Sequence, residues 1–452
     1  MSAEPLVHPI QIQRSALLAL HAQHPERYCA LLESAATGEP LGRFDLLFAF
    51  PRARLTLDAS GELRDGTDSR SNSDSFLAVL DDWWRRERVA VASPLPFHGG
   101  WLVYLSYELA GHIEPSLKLP QPKQGPIAQA IRVPAAIVFE HATARAWIVV
   151  EPGSEELIPQ IEADLASASV PTPFIGNLLR DAIEEETPCA YLDSVRRALD
   201  YIAAGDVYQA NLSRAWRAQV ASGVRSHHIY DRLRQTNPAP FGALAQLDEL
   251  CIISSSPERL VEVRDGRIST RPIAGTRPRG EDERSDQGLA RELRAHPKER
   301  AEHVMLIDLE RNDLGRICES GSVEVDEFMV LESYAHVHHI VSNVRGQLRR
   351  DISPGQVIAA VFPGGTITGC PKVRCMQIIG DLESEARGAY TGSLGYLNRD
   401  GSMDLNILIR SMEFRAESLV LRAGAGIVAD SIPERELEET RAKARGVLRA
   451  LS

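Results

Sequence analysis

The chain has 452 residues, 44% of them hydrophobic and 25% charged, with a formal net charge of −12. This is ample material for a sizeable core, and the acidic balance argues against a nucleic-acid partner, whose phosphates it would repel. No apolar run approaches the roughly 20 residues that span a bilayer, the opening "MSAEPLVHPI" lacks a signal-peptide pattern, and six scattered cysteines without CxxC spacing read as reduced thiols, so a cytoplasmic protein without membrane attachment is expected.

Residues 1–150 read as a β-rich region with a few helices. "GRFDLLFAF" and "RARLTLDASGELR" are strand-like, the second turning at Ser60-Gly61, and "FHGGWLVYLSYELAG" is an apolar stretch opened by Gly99-Gly100. Residues 151–188, rich in Pro, Ser and acidic side chains, are expected to link this region to 189–452. A helix is predicted from a Thr187 N-cap with Pro188 in its first turn to a stop at Gly205, with Val195, Leu199 and Ile202 on one stripe. "DVYQANLS" alternates, with Tyr208, Ala210 and Leu212 on one side and Gln209, Asn211 and Ser213 on the other, which predicts a half-buried strand with an amide-rich face. "LCIISSSPERLVEVRDGRISTRPI" reads as a strand, a tight corner at Ser256-Pro257-Glu258 and a hairpin turning at Asp265-Gly266. The next stretch, "RPIAGTRPRG", reads as a cationic, glycine-softened corner with the inert Ala274 at its centre. Strands and helices in irregular alternation predict an α+β fold rather than a doubly wound sheet.

Two helices carry paired carboxylates. "HPKERAEHVMLIDLERNDLG" puts Glu299 and Glu302 on one face, with Val304, Leu306 and Ile307 spreading apolar groups around a largely buried helix. "SIPERELEETRAKARGVLRALS" opens with Ser431 and Glu434 in capping-box spacing; Leu437, Ala444, Leu448 and Leu451 form one stripe, and Glu436, Glu439 and Lys443 another. Such pairs can offer oxygen ligands to Mg2+. Surface glutamates on amphipathic helices account for the same spacing, and the pattern leaves both readings open. Two glycine-rich corners, "FPGGTITGCPKVRCMQII" and "LRAGAGIVADS", match neither a Walker A loop nor GxGxxG, but either can bring backbone close to a small ligand.

Taken together, "RPIAGTRPRG", "ERAEHVMLIDLERNDLGRI", "FPGGTITGCPKVRCMQIIGDLE", "GAYTGSLGYL" and "AGAGIVADSIPERELEETRAKAR" resemble the chorismate-utilising enzymes, among them anthranilate synthase component I, aminodeoxychorismate synthase component I and the isochorismate and salicylate synthases. The resemblance runs from about 185 to 450 and more faintly over the N-terminal half, which would make 1–150 a subdomain of one interleaved fold and 189–452 the chorismate-binding region. It implies a large α+β unit of two facing sheets with helices outside and chorismate in the cleft with Mg2+. By position, Glu302 and Glu439 match the principal metal ligands, with Glu299 and Glu436 as their neighbours. Gly275, Thr276, Tyr390, Arg410, Gly424, Ala425, Gly426 and Lys443 match chorismate contacts. Glu258 matches the general acid that protonates the departing C4 hydroxyl, and His339 a histidine proposed to assist, with helix packing within "HVHHI" as the competing explanation for His339. Gln209 stands where the water-adding members carry a lysine base, so amination is expected instead.

Two aminations compete. Ala274 and "GTRPRG" agree with anthranilate synthase, because many aminodeoxychorismate synthases carry a nucleophilic lysine at that position. "GDVYQANLSRAW" resembles the aminodeoxychorismate pattern Tyr-Gln-x-Asn rather than Phe-Gln-Val-Val, and "FPGGTITG", "TGSLGYL", "NPAPFGA" and "PFHGGWLVYLSYELAG" lean the same way. The expected activity is therefore amination of chorismate to 4-amino-4-deoxychorismate for para-aminobenzoate and folate synthesis, by a subtype with Ala274 in place of the lysine. Anthranilate synthase is the alternative. A degenerate binding protein would show gaps at Glu258, Glu302, Arg410 or Glu439, and there are none. Ammonia is expected from a separate glutamine amidotransferase subunit, since no GxCxG nucleophile turn occurs. The run Leu31 to Ser34, with Gly42, Arg43, Phe44, Asp45, Pro240, Phe241 and Gly242, matches a tryptophan pocket of the family, with plain packing as the competing explanation.

Overall fold

The computed structural model describes residues 4–35, 42–66, 75–91, 93–280, 282–333 and 337–452. Two large antiparallel sheets dominate it, of 12 and 11 strands. Each draws strands from both halves of the chain. Down the middle of the first, Phe44–Ala49 and Ala30–Glu33 lead into Phe241–Leu247, Leu250–Ser256, Ser411–Arg415, Ser418–Ile427 and Gln209–Gln219. The second joins Val337–Gln347, Arg267–Thr270, Arg259–Arg264, Met403–Asn406 and Ser393–Asn398 to Gly100–Leu105, Pro126–Val133 and Arg54–Asp58. Within the stretch 151–188, residues Leu157–Ser167 form a helix that buries Leu157, Ile158 and Ile161, so this segment is more than a bare tether.

The sheets face each other across one apolar layer. Phe48, Val138, Ala243 and Ile252 of the first sheet meet Leu102, Tyr104, Ile131 and Leu394 of the second, all buried. Helices cover the outer faces: Ile229 and Leu233 pack with Ile253 and Leu421 outside the first sheet, and Phe76, Leu80, Ile358 and Val361 pack with Leu55, Trp101 and Val261 outside the second. Central strands are thus buried on both sides, and they read as apolar runs rather than as an alternation. Ile252 and Ile253, adjacent in sequence, belong to different cores.

The chain crosses between sheets at the corner expected from sequence. Leu250–Ser256 ends in the first sheet, Pro257-Glu258 make the turn, and Arg259–Arg264 begins in the second, followed by the Asp265-Gly266 hairpin. The 271–280 stretch departs from expectation. Ile273–Pro278 is a strand paired with Val337–Gln347, and its irregularity is a bulge at Gly275 (φ +72°) rather than a corner.

Three local readings need correction. Gln209–Gln219 is covered on both faces, so it is not half-buried, and Tyr208 lies outside it, 72% exposed, instead of joining Ala210 and Leu212 in the core. The last helix, Pro433–Leu448, has Ile432 at its N-cap; the Ser431 hydroxyl instead accepts from Val428 N–H (3.1 Å), and Pro433, pre-set for the first helical position, moves the start two residues on. In Pro297–Gly315, Val304 is exposed while His303, Leu306, Ile307 and Glu310 face inward. The apolar residues of that helix do not encircle it.

If the central strands are double-sided, Ile252→Ala and Ile253→Ala should each lower unfolding free energy by about 2–5 kcal/mol in urea titrations. A half-buried strand would tolerate one of the two.

Candidate active site

A cavity of about 170 Å3 lies where the crossing at 257–258 leaves the first sheet. Strand alternation sends Asn211 from Gln209–Gln219 and Gly424 from Ser418–Ile427 to its wall, while Gly275, Thr276 and His339 enter from the bulged pair of the second sheet. Glu258 comes from the corner, Thr366 and Ile367 from the "FPGGTI" loop, Tyr390 and Arg410 from connections between strands, and Lys443 from the last helix. The structure thus brings together Glu258, Gly275, Thr276, His339, Tyr390, Arg410, Gly424 and Lys443, eight of the sequence-derived positions.

Its electrostatics are lopsided. Glu258 is the sole carboxylate in the described lining, against Arg410, Arg422 and Lys443. The Arg410 guanidinium forms no ion pair among the described residues, and desolvation pulls its pKa down, with Glu258 opposing. Its backbone sits at φ +53°, a left-handed conformation that costs a bulky residue about 1–3 kcal/mol and persists only where surroundings impose it. A strained, half-buried guanidinium with no ion-pair partner among the described residues is a receptor for an anion. Burial has the opposite effect on Glu258, raising it to about 7; Ile273 N–H approaches its carboxylate at 3.4 Å and offsets little of this. Glu258 is therefore a proton donor available near neutrality. His339 shares a hydrogen bond with the Thr276 hydroxyl (2.9 Å), and burial, with the Arg410 charge, pushes it down to about 3, so it is neutral.

Tyr390 is set by its neighbours. Ala389 N–H donates to Glu413 (2.6 Å) and Arg387 N–H to Glu108 (2.7 Å), hanging the 387–390 turn from two buried carboxylates, and the Arg387 guanidinium lies 5.7 Å from the Tyr390 ring. Gly424 must be glycine: a Cβ there would stand 2.6 Å from the Tyr390 hydroxyl and 2.8 Å from Asn211 Oδ1.

A family model described as chorismate binding enzyme matches residues 27–449. The chain belongs to the chorismate-binding enzymes. It is 38% identical to anthranilate synthase component 1 of Aquifex aeolicus, over 93% of this chain and 88% of that one, and 36% identical to aminodeoxychorismate synthase component 1 of Bacillus subtilis, over 94% and 92%. Among solved structures, anthranilate synthase component I of Streptococcus pneumoniae superposes with a TM-score of 0.80 at 31% identity, covering 91% of this chain and 93% of that one.

Not every expected residue of this chorismate-binding enzyme reaches the cavity. Gln209, Ala425 and Gly426 lie beyond its wall; the Gln209 side chain rests over Gly426 on the neighbouring strand. The arginines of 271–280 serve other groups: Arg277 pairs with Glu292 and Glu299, Arg279 with Asp286, and Arg271 with Glu327 and Glu332. Asn211, of the amide-rich strand face, lines the cavity too, as do Thr366 and Arg422, which no motif marks as ligand contacts. Asn211 and Arg422 were readable in principle, each two positions from a named residue on the same strand face.

The four helix carboxylates form an acidic wall beside the cavity. Gly275 abuts Glu299, whose Oε2 would meet a Cβ at 2.8 Å, and Lys443 pairs with Glu439 (2.7 Å) while donating to the Gly424 carbonyl (3.0 Å). Burial, then the charges of Glu299, Glu439 and Glu436, push Glu302 up to about 7 against the pull of Lys298. Burial and Glu439 also raise Glu436. Crowded hard-oxygen donors with surplus negative charge suit Mg2+ in chemical type, although no three acidic, histidine or cysteine side chains among the described residues converge on one point.

The second group of expected residues surrounds a separate cavity of about 270 Å3. Ser34, Arg43, Phe44, Pro240, Phe241 and Gly242 line it; Gly42 does not, and Asp45 is a buried anchor for Arg14 (2.6 Å) and Ser34 N–H (2.8 Å).

The raised Glu258 has a sign that can be checked. Its neutral form is favoured on folding, so its contribution is fully present below pH 4.5 and lost as pH rises through about 7. Glu258→Gln should therefore match wild type in stability near pH 4 and gain up to about 2–3 kcal/mol by pH 8, read from paired denaturation curves. Equal effects at both pH values would mean that Glu258 is not held neutral.

Proposed function

We propose that this enzyme aminates chorismate to 4-amino-4-deoxychorismate. Asn211 carries the reading. The position is a valine in the Phe-Gln-Val-Val pattern and an asparagine in the Tyr-Gln-x-Asn pattern, and its side chain is on the cavity wall beside Gly424 and Tyr390. A branch-specific polar group here touches whatever occupies the cavity.

The dianionic substrate is drawn to Arg410, with the Thr276 and Tyr390 hydroxyls and the backbone at Gly275 and Gly424 fixing its orientation. Glu302 and Glu439, with Glu299 and Glu436 behind them, would hold Mg2+, which supplies charge neutralisation for a substrate carboxylate. Glu258, neutral below about pH 7, gives its proton to the C4 hydroxyl as that group leaves as water. Ammonia is nucleophilic without a base, in keeping with Gln209 in place of a lysine. Ala274 offers no amine, so ammonia itself attacks C2, giving non-covalent 2-amino-2-deoxyisochorismate; a second ammonia attacks C4 and expels the C2 amine. The ammonia comes from a separate glutamine amidotransferase subunit, and the product feeds para-aminobenzoate and folate synthesis.

A second reading, anthranilate synthase component I, is favoured by Ala274 with the following "GTRPRG" and by relatives such as that of Aquifex aeolicus. Incubation with chorismate, Mg2+ and ammonium at alkaline pH separates the two: 4-amino-4-deoxychorismate without pyruvate is expected, and anthranilate with equimolar pyruvate would establish the alternative. Intact-protein mass spectrometry during turnover should reveal no substrate adduct; an adduct would sink the non-covalent route.

The 270 Å3 cavity suits a zwitterionic aromatic amino acid, since Glu33, Asp404, Arg43 and Arg264 bring both charges around Phe44 and Phe241. Tryptophan is the proposed occupant. It should raise the melting temperature or lower the rate; no change in either identifies the cavity as packing only.

A further inference from the structure

At one end of the second sheet, three turns and a helix end enclose a cavity of about 360 Å3 that shares no lining residue with the two described above. Arg88 follows the helix Phe76–Glu87, Arg349 and Arg350 follow the strand Val337–Gln347, and Arg399 lies in the hairpin between Ser393–Asn398 and Met403–Asn406. Four guanidiniums thus meet in one wall of a chain whose net charge is −12.

The neighbouring carboxylates do not cancel them. Two line the cavity, Asp265 and Asp400. Asp400 turns to His98 (3.1 Å) and to the N–H and hydroxyl of Ser402 (2.9 and 2.7 Å). Asp265 is exposed at its hairpin tip, with Arg264 and Arg267 on either side of the turn. Outside the lining, Asp81 accepts from the Ser353 hydroxyl and Gly355 N–H, and Arg132 pairs with Glu87 and with both oxygens of Glu151. Arg399 reaches Glu151 only at 3.4 Å, and Arg349 has the exposed Asp351 at 3.7 Å. Arg88 and Arg350 form no ion pair with any described residue. Arg88 instead lies over the Trp84 ring, 5.4 Å from its centroid. Stacking fixes the plane of a guanidinium and leaves its N–H edge free to fork onto an oxyanion.

We propose that this cavity binds an organic phosphate with at least two negative charges, held first by Arg88 and Arg350 and then by Arg349 and Arg399. A phosphate presents three acceptor oxygens and close to two charges near neutrality, so it can engage several guanidiniums at once. The volume leaves room beyond the phosphate, where Val89, Leu348 and Met403 give the organic part an apolar wall. The inference does not depend on the chorismate reading.

Isothermal titration of ATP, inorganic pyrophosphate, citrate and hexaglutamate, without divalent metal, tests it on the wild-type chain, Arg88→Gln, Arg350→Gln and a control, Arg291→Gln. Arg291 is an exposed arginine on the helix Glu283–Ala295, outside the cavity. ATP should bind more tightly than pyrophosphate, and each cavity variant should weaken both about tenfold, the scale of one lost charge-assisted contact. The control should change either affinity less than about twofold. No binding, pyrophosphate bound more tightly than ATP, or citrate bound as tightly as ATP would overturn the proposal. Hexaglutamate bound as tightly as ATP would overturn it in favour of an acidic protein segment. Unchanged affinity in either cavity variant, or an equal loss in the control, would place the anion elsewhere and overturn it too. A wild type that shows these affinities but does not aminate chorismate with ammonium would overturn the proposed function and leave this assignment standing.

Discussion

The cavity has walls from elements far apart in sequence, and a single buried guanidinium ties them together. Arg387 reaches the Asn211 carbonyl (2.6 Å) on one strand, the Ile367 carbonyl (3.3 Å) in the "FPGGTI" loop and Glu383 at the end of the helix Lys372–Leu382, while its face covers the rings of Tyr107 and Tyr390. Breaking a buried pair of this kind typically costs about 3–5 kcal/mol, because the abandoned charge stays in the interior. That penalty makes the arrangement all-or-none. Tyr390, Asn211 and Ile367 hold position together because they hang from one ion.

The same burial that locks this network tunes the site. A low-polarity interior opposes every charge, so it raises Glu258 toward neutrality and lowers the pKa of Arg410. A chain of net charge −12 thereby presents a local cationic cavity, with its acidic helices set to one side. The arrangement separates two tasks: fixed cations receive an anion, and a neutral carboxyl keeps a proton to give. The acidic wall of Glu299, Glu302, Glu436 and Glu439 is the complementary half, a place where surplus negative charge awaits a hard cation.

Much of the fold and site was legible in the residues. The corner at 256–258, the hairpin at 265–266 and the helices beginning near Thr187 and Pro297 occur where turn and capping chemistry put them. Eight motif positions converge on one cavity because strand alternation and helix ends are local rules. The misreadings share a cause. Tyr208 and Val304 follow from periodicity and Ser431 from capping-box spacing, local rules that describe one element and are blind to what packs against it. The alternation puts Asn211 on an amide-rich face and leaves Arg422 unmarked, but no pattern within a strand says which of its faces borders a void.

By itself the sequence determined the α+β class, since this follows from residue identity and short-range spacing, and the resemblance of its motifs pointed to the chorismate-binding family and to the chemical types at the site. Only the tertiary structure decided which groups share a boundary and which charges stay unspent. The arginines around Ala274 are consumed by carboxylates elsewhere, while Arg410, matched by motif, and Arg422, unmarked in its strand, are left facing the cavity. The physical reason is that pairing and burial depend on three-dimensional neighbours. A guanidinium looks the same in a sequence whether or not its charge has been met.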